Sequence, residues 1–446
     1  MWMYVQHTSI NHSKFKQDMK RIFNSLFLLS ALALTTTVFT ACEDEPDKYE
    51  ISGGKPTIRY IRPLGLESAD SILTGAYMDN NICIVGENLR SITKLFFNDQ
   101  EAKLVPSLIT DNTLIVTVPG QIPGEVFNKI FMVNNSNDTT TYDFKVLVPG
   151  PTINNMSNEW AQAGEKATIY GNYFVDDPNT PLTLTINGTK VAIDEFDISH
   201  ISFTVPEKLS EGPVEISTVY GKKKAKFNYK DTRGMLFNDW GTGDAGEAST
   251  GLTNHGWHAQ VIANDENSLD GSYLLLGDVD IEDGTWADSN VSFEYWPGDW
   301  DGTFTGVNSR LSDLVSFADF ANMALKFEVN IPSSNPWTNL SMQCIFSGDA
   351  QVTLPTANNV FFNGTDYPRG LWTPWSQTGS YDTGGKWTTV TLPFSTFKYK
   401  NDGTVASTPL DANCFTGLTL FIWSGVTNGT TCHPIIRIDN VRAVAY

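Results

Sequence analysis

A chain of 446 residues is longer than one hydrophobic core usually fills, so two to four domains are expected. Its 41% hydrophobic and 18% charged content is that of a folded globular chain and argues against disorder. The formal net charge of −20, without any basic stripe interleaved with aromatics, excludes nucleic acid as a partner and leaves an uncharged ligand open.

Residues 20 to 42, "KRIFNSLFLLSALALTTTVFTAC", give a short basic start, an apolar run and small residues before Cys42. This is a secretory signal rather than a membrane span, because Thr35, Thr36 and Thr37 interrupt a run already too short to cross a bilayer. Met19 opens it more naturally than Met1. "FTAC" resembles the lipobox of bacterial lipoproteins, with Phe39 where Leu is usual, and the resemblance implies cleavage before Cys42 and lipidation of its thiol. The following "EDEPD" (Glu43, Asp44, Glu45, Asp47) resembles the acidic export tag of Bacteroidetes-type surface lipoproteins; the plainer reading is a solvated acidic linker over residues 43–54. Removing residues 1–42 takes away four basic groups and one acid, so the remainder is more acidic still.

Beyond Cys42 the chain carries Cys83, Cys344, Cys414 and Cys432 in a compartment where pairing is open. Cys414 and Cys432 bracket the strand-like runs "FTGLTLFIW" and "PIIRID", and a simple hairpin would put them at opposite ends. Buried free thiols are favoured, and no CxxC pair suggests a metal.

Two stretches repeat. "ICIVGENLRSITKLFFNDQEAKLVP" and the following "NTLIVTVPGQIPGEVFNKIFMV" recur as "ATIYGNYFVDDPNTPLTLTINGTKVAI" and "HISFTVPEKLSEGPVEISTV", aligning Gly86 with Gly171, Asn98 with Asn187 and Val118-Pro119 with Val205-Pro206. Short Val-, Ile-, Thr- and Phe-rich runs between Gly, Asn and Pro predict two small antiparallel sandwiches, at residues 55–149 and 150–232. The "GENL" and "GNYF" strands, the Asn turns and the "VTVP" strand ends resemble the IPT/TIG immunoglobulin-like family, whose domains serve as spacers. "VPGP" at 148–151 predicts a stiff joint between them. Trp160 reads as a packing residue.

After "YKDTRGM" at 229–235 the composition changes. Ten of the twelve tryptophans follow residue 235, which locates function in residues 233–446. The runs "YLLLGDVDI", "NVSFEYW", "ALKFEVNIP", "LSMQCIFSG", "WTTVTLPFSTF", "GLTLFIWSG" and "IIRIDNVRAV", with Gly and Pro between them, predict a larger jelly-roll-like β-sandwich. The chain as a whole is expected to be all-β, with tandem immunoglobulin-like sandwiches ahead of that larger one. Trp240, Trp387 and Trp423 are expected to pack in or beside the core. The other tryptophans sit among turn formers in "DGTWAD", "FEYWPGDWDG", "SSNPWTN" and "DYPRGLWTPWSQTG", where apolar bulk in loops points to a functional surface. A sugar ring offers such a surface a weakly polar C–H face ringed by hydroxyls, which a Trp or Tyr face and neighbouring polar groups can cover.

The lipobox, the repeats and a Trp-rich tail with "FEVNIP", "NPW", "LWTPW" and "GGKWTTVTLP" resemble the surface glycan-binding protein B family of Bacteroidetes polysaccharide-utilisation loci. The resemblance implies a non-catalytic, outer-membrane, surface-exposed lipoprotein. Its C-terminal domain would capture xyloglucan or mixed-linkage glucan, for an outer-membrane transporter with a glycan-binding lid and a nearby hydrolase. Trp296, Trp300, Trp337 and Trp372 are the leading platform candidates, with Trp286, Tyr367 and Trp375 behind them and Arg369 and Asp299 as hydroxyl partners.

Two rival readings remain. A surface adhesin would suit the immunoglobulin-like rod. A glycoside hydrolase would need two carboxylates across the bond, and "GDVDIEDG" supplies Asp278, Asp280, Glu282 and Asp283; alternation puts the first three on one strand face, suiting solvent or a structural Ca2+ better than catalysis. His255 and His258 in "HGWH" read as turn and edge residues, and no other cofactor is implied.

Overall fold

The computed structural model describes residues 50–446 except 52, 69, 239, 241–260, 283–289, 299–309, 354–365 and 424–429. The signal segment and Cys42 lie outside these, as do His255 and His258. Among the described residues no helix is long and apolar enough to cross a membrane.

The chain is all-β, with tandem immunoglobulin-like sandwiches followed by a larger jelly-roll-like sandwich. Period-two sequence builds the first. Strand Lys129–Asn134 buries Ile130, Met132 and Asn134 and turns Lys129, Phe131 and Val133 outward. It belongs to a four-stranded sheet that faces a three-stranded one of Thr57–Pro63, Asn81–Glu87 and Thr113–Thr117, and the core between them holds Ile84, Leu95, Phe97, Leu114, Ile130 and Phe144. The second sandwich repeats the plan with Met156, Ile169, Leu184, Ile201, Phe203 and Ile216 inside. The aligned glycines have a shared cause. In each repeat the first strand pair slips register, between Ile58 and Tyr60 and between Ile153 and Asn155. At those bulges a Cβ on Gly86 would lie 1.9 Å from the Thr57 carbonyl oxygen, and one on Gly171 1.9 Å from that of Thr152.

Val148 and Pro149 mark the division between two compact units, so the second immunoglobulin-like sandwich and the C-terminal one form a single body. In the C-terminal sandwich one sheet runs Val261–Ala263, Tyr273–Gly277, Ile435–Ala445, Met323–Asn330, Thr388–Pro393, with Met235–Phe237 also paired to Ile435–Ala445. The opposing sheet runs Ser292–Tyr295, Gly417–Ile422, Met342–Ser347, Gly370–Trp372. Cys83, Cys344, Cys414 and Cys432 are free and buried, and burial pushes the Cys344 thiol up to about 12, which makes it inert.

Charge joins the two sandwiches of the second unit. Glu159, from the second repeat, is buried and takes an ion pair from Lys326 and another from Arg442 at 2.8 Å. Arg442 also holds Glu328 at 2.7 Å, and Thr389 Oγ1 donates to Glu328 at 2.9 Å while accepting the Glu159 N–H at 2.7 Å. Burial opposes the Arg442 charge, but Glu328 and Glu159 outweigh it and keep the guanidinium ionised. Around the network Trp160 packs with Leu269, Tyr273 and Trp387. Removing one partner from a buried pair strands the others. Glu159→Ala in residues 149–446 is therefore expected to lower unfolding stability by about 3–5 kcal/mol in urea. A loss under about 1 kcal/mol, the scale of an exposed pair, would contradict this account.

Candidate functional site

The four-stranded sheet of the C-terminal sandwich is covered on both sides, yet its two faces differ in chemistry. Facing the larger sheet, Phe293, Tyr295, Met342, Cys344, Phe346, Leu418, Leu420 and Ile422 make a wholly apolar layer. The alternate positions point outward and carry Ser292, Glu294, Gln343, Ser347 and Thr419, all buried, with Ile345, Leu371 and Phe421 between them. Polar groups on a covered face cost stability unless something bonds them.

On this outer face the register brings Ser292, Phe421, Gln343 and Leu371 into one row across the strands, and Glu294, Thr419 and Ile345 into the next. Arg369 precedes Gly370 on the edge strand and is 0% exposed. Its Nη1 donates to Gln343 Oε1 at 2.7 Å, and Gln343 Nε2 donates to the Trp423 carbonyl oxygen at 2.9 Å. Burial lowers the Arg369 pKa to about 10, so the guanidinium stays charged at neutral pH. Trp423 stacks on Phe421, with ring centroids 5.8 Å apart and planes at 12°. Ser341 Oγ fixes Trp423 further, donating to its carbonyl oxygen at 3.0 Å. Phe421 is buried, so its ring backs Trp423, and the half-buried Trp423 is the member of this pair that can meet a sugar ring.

The loop aromatics fall elsewhere. Trp337 is 0% exposed; its Nε1 donates to the Asn339 carbonyl oxygen and its ring meets Trp372 edge-on at 5.3 Å. Trp296 is 3% exposed. Both correct the expectation of loop platforms, because a buried indole has no free face. Trp372 is half-buried and points inward, against Phe327 at 5.4 Å and Tyr381 at 5.8 Å. Trp375 and Tyr367 are also half-buried, with Trp375 Nε1 donating to the Leu340 carbonyl oxygen at 2.9 Å and the Tyr367 hydroxyl to that of Phe346 at 2.8 Å. Trp286, Asp299 and Trp300 lie outside the described residues. Sequence reasoning passed over Phe421, Gln343, Glu294 and Thr419 and gave Trp423 a packing role. The available signal was alternation in "GLTLFIW", where Thr419, Phe421 and Trp423 share the face opposite Leu418, Leu420 and Ile422.

The acidic run is exposed and has a histidine beside it. Asp280 bonds His433 Nδ1 at 2.9 Å and Asp278 approaches Nε2 at 3.4 Å, while Glu282 accepts from Thr431. Among the described residues no three His, Cys, Asp or Glu side chains are grouped to hold a metal.

Comparison with known proteins gives the following likenesses. A family model described as the surface glycan-binding protein B xyloglucan binding domain matches residues 229–445, and the IPT/TIG domain model matches 70–146 and 151–232. The crystal structure of a surface glycan-binding protein B from Prevotella bryantii is 39% identical, covers 88% of this chain and 99% of its own, and superposes with a TM-score of 0.77. An IPT/TIG domain-containing protein of Bacteroides ovatus is 29% identical over 168 residues, which is 36% of this chain and 33% of that relative's length.

The two aspartates raise the His433 pKa, Asp280 chiefly and Asp278 next. The stability this contributes is present below pH ~6.5 and is lost as pH rises through the folded value. In an NMR titration His433 is expected to change charge above the ordinary histidine value, and Asp280→Asn to lower its midpoint; an unchanged midpoint would contradict the contact.

Proposed function

Since this chain belongs to the surface glycan-binding protein B family, we propose that it is a non-catalytic, lipid-anchored surface protein that captures a plant β-glucan on the outer face of the four-stranded sheet. Xyloglucan is the favoured polymer, mixed-linkage glucan the next. The observation that carries the reading is the pairing, on one sheet face, of the Phe421–Trp423 stack with the Arg369–Gln343 bond. The half-buried Trp423, backed by the buried Phe421, would cover the C–H side of the sugar, with Arg369 and Gln343 buried behind it to hold it in place. Nothing in this pairing calls for a charged ligand, which suits an acidic protein and a neutral polymer.

The non-catalytic part rests on the likeness to proteins described as glycan-binding. Hydrolysis would need two carboxyl groups about 5 to 9.5 Å apart across the glycosidic bond, and release of reducing sugar reads that directly. The lipobox at Cys42, the acid-rich stretch behind it and the tandem repeats support a binding domain held at the outer surface of the outer membrane. There it would pass polysaccharide to a transporter with its glycan-binding lid protein.

Calorimetric titration of residues 149–446 with xyloglucan, mixed-linkage glucan, galactomannan and xylan tests the reading, with reducing-sugar release followed in the same samples. The repeat at 150–232 is kept because Glu159 belongs to the charge network. Micromolar binding to a β-glucan without new reducing ends is expected, weakened at least tenfold by Trp423→Ala. Heat with none of the four would return the adhesin reading, and new reducing ends would make the protein an enzyme.

A further inference from the structure

Away from the C-terminal sandwich, the first repeat carries an aromatic surface that its own packing does not use. On the outer face of its four-stranded sheet the register sets Glu101, Phe96, Phe131 and Thr141 in one row, and Lys129 opposite Asp143 in the row beside it. Phe96 and Phe131 are half-buried. Phe127, from the loop ahead of strand Lys129–Asn134, is 48% exposed and meets Phe131 edge-on, with centroids 5.7 Å apart and planes at 85°. With Asn98, Lys129 and Thr141 the three rings line a shallow hollow of about 680 Å3, within the ~300–1,000 Å3 range of small-ligand sites.

The second repeat shows that the fold does not require this surface. Asn187 aligns with Asn98, so Thr185 stands where Phe96 does; across the strand pair Glu215 takes the place of Phe131, and beyond it Lys224 that of Thr141. The same sheet thus forms with Thr, Glu and Lys at these positions. A single exposed apolar side chain needs no explanation, whereas three adjoining rings on one face mark a binding surface.

The surface is also fixed in advance. Asn98 is buried, and its Oδ1 accepts the Phe127 N–H at 2.9 Å and the Asn128 N–H at 2.7 Å, while Asp99 Oδ2 accepts the Gly124 N–H at 2.9 Å. These bonds hold the loop that carries Phe127. On the rim Thr141 is exposed, and Lys129 and Asp143 pair with each other. That pairing leaves the hollow without net charge, so neither an anion nor a cation finds a counter-charge there. The apolar area is bounded as well: Glu101 closes the row beyond Phe96, and Lys94 and Thr139 flank it on the side away from Lys129 and Asp143. It is therefore small beside the ~800 Å2 that a stable protein interface buries on each partner.

A neutral ring with a weakly polar C–H face and hydroxyls at its edge meets all of these conditions. We propose that the first repeat bears a second, independent site for a neutral sugar ring, stacked on Phe96 and Phe131 against the Phe127 wall, with Thr141, Lys129 and Asp143 bonding its hydroxyls. The repeat then takes part in capture rather than only spacing the C-terminal sandwich from its anchor; this rests on the function proposed above.

The test titrates residues 43–446 with a soluble β-glucan hexasaccharide in a calorimeter, beside residues 149–446, the compact unit that lacks the first repeat. The longer chain is expected to bind two oligosaccharides and the shorter one. Phe96→Thr with Phe131→Glu installs the residues of the second repeat and should remove the weaker phase, leaving the tighter phase and Tm unchanged. Phe127→Ala, in the exposed loop, should weaken that phase at least fivefold, and Trp423→Ala should weaken only the tighter one. A single oligosaccharide per unaltered longer chain would overturn the second site and leave the function standing. A second phase that survives both phenylalanine variants would overturn it too. Self-association lost in those variants, with the oligosaccharide count unchanged, would make the surface a protein interface instead. Failure of both chains to bind would overturn the function proposed above rather than this site alone.

Discussion

Arg442 carries a positive charge in the fully buried part of strand Ile435–Ala445, the strand that pairs with three others in the larger sheet. A charge there is tolerable only because Glu328 on the neighbouring strand and Glu159 from the preceding sandwich both reach it. Since one of the two carboxylates comes from another sandwich, the larger sheet is electrostatically complete only when the second repeat is docked. This interaction gives the second repeat a structural role in the C-terminal sandwich that a simple spacer would not have. The apolar cluster of Trp160, Leu269, Tyr273 and Trp387 acts at the same junction.

With the larger sheet fixed, the opposing sheet has one apolar face turned to it and one polar face turned away. The contrast between the faces is the central functional clue. Eight apolar side chains line one side, whereas the other carries Ser292, Glu294, Gln343, Thr419 and Arg369, all buried. The rigid backing also matters. Gln343 is held by Arg369 and by the Trp423 carbonyl oxygen, which restricts all three before any ligand arrives.

The fold was legible because strands and turns are written locally. Period-two runs such as "KIFMVN" and the recurrent Gly and Asn positions fixed the strand character, and the aligned Gly86 and Gly171 proved to mark the same close backbone approach. The candidate site was less legible, for two reasons. Sequence places Trp337 in a Pro- and Asn-rich loop, but whether a loop tryptophan is exposed depends on partners distant in the chain, here Trp372 and Tyr381. Strands buried on both faces also look apolar throughout, so "LSMQCIFS" does not reveal which face Gln343 occupies until the partner strands are known. Arg369, read from sequence as a hydroxyl partner, lies beside the polar face; its bond to Gln343 could not be inferred from spacing alone.

The most direct test of the central claim is a crystal structure of residues 149–446 with a β-glucan oligosaccharide bound. The account predicts sugar density at the outer face of the four-stranded sheet, with a ring on Trp423. Density confined to the second repeat or to the larger sheet, with this face empty, would contradict it.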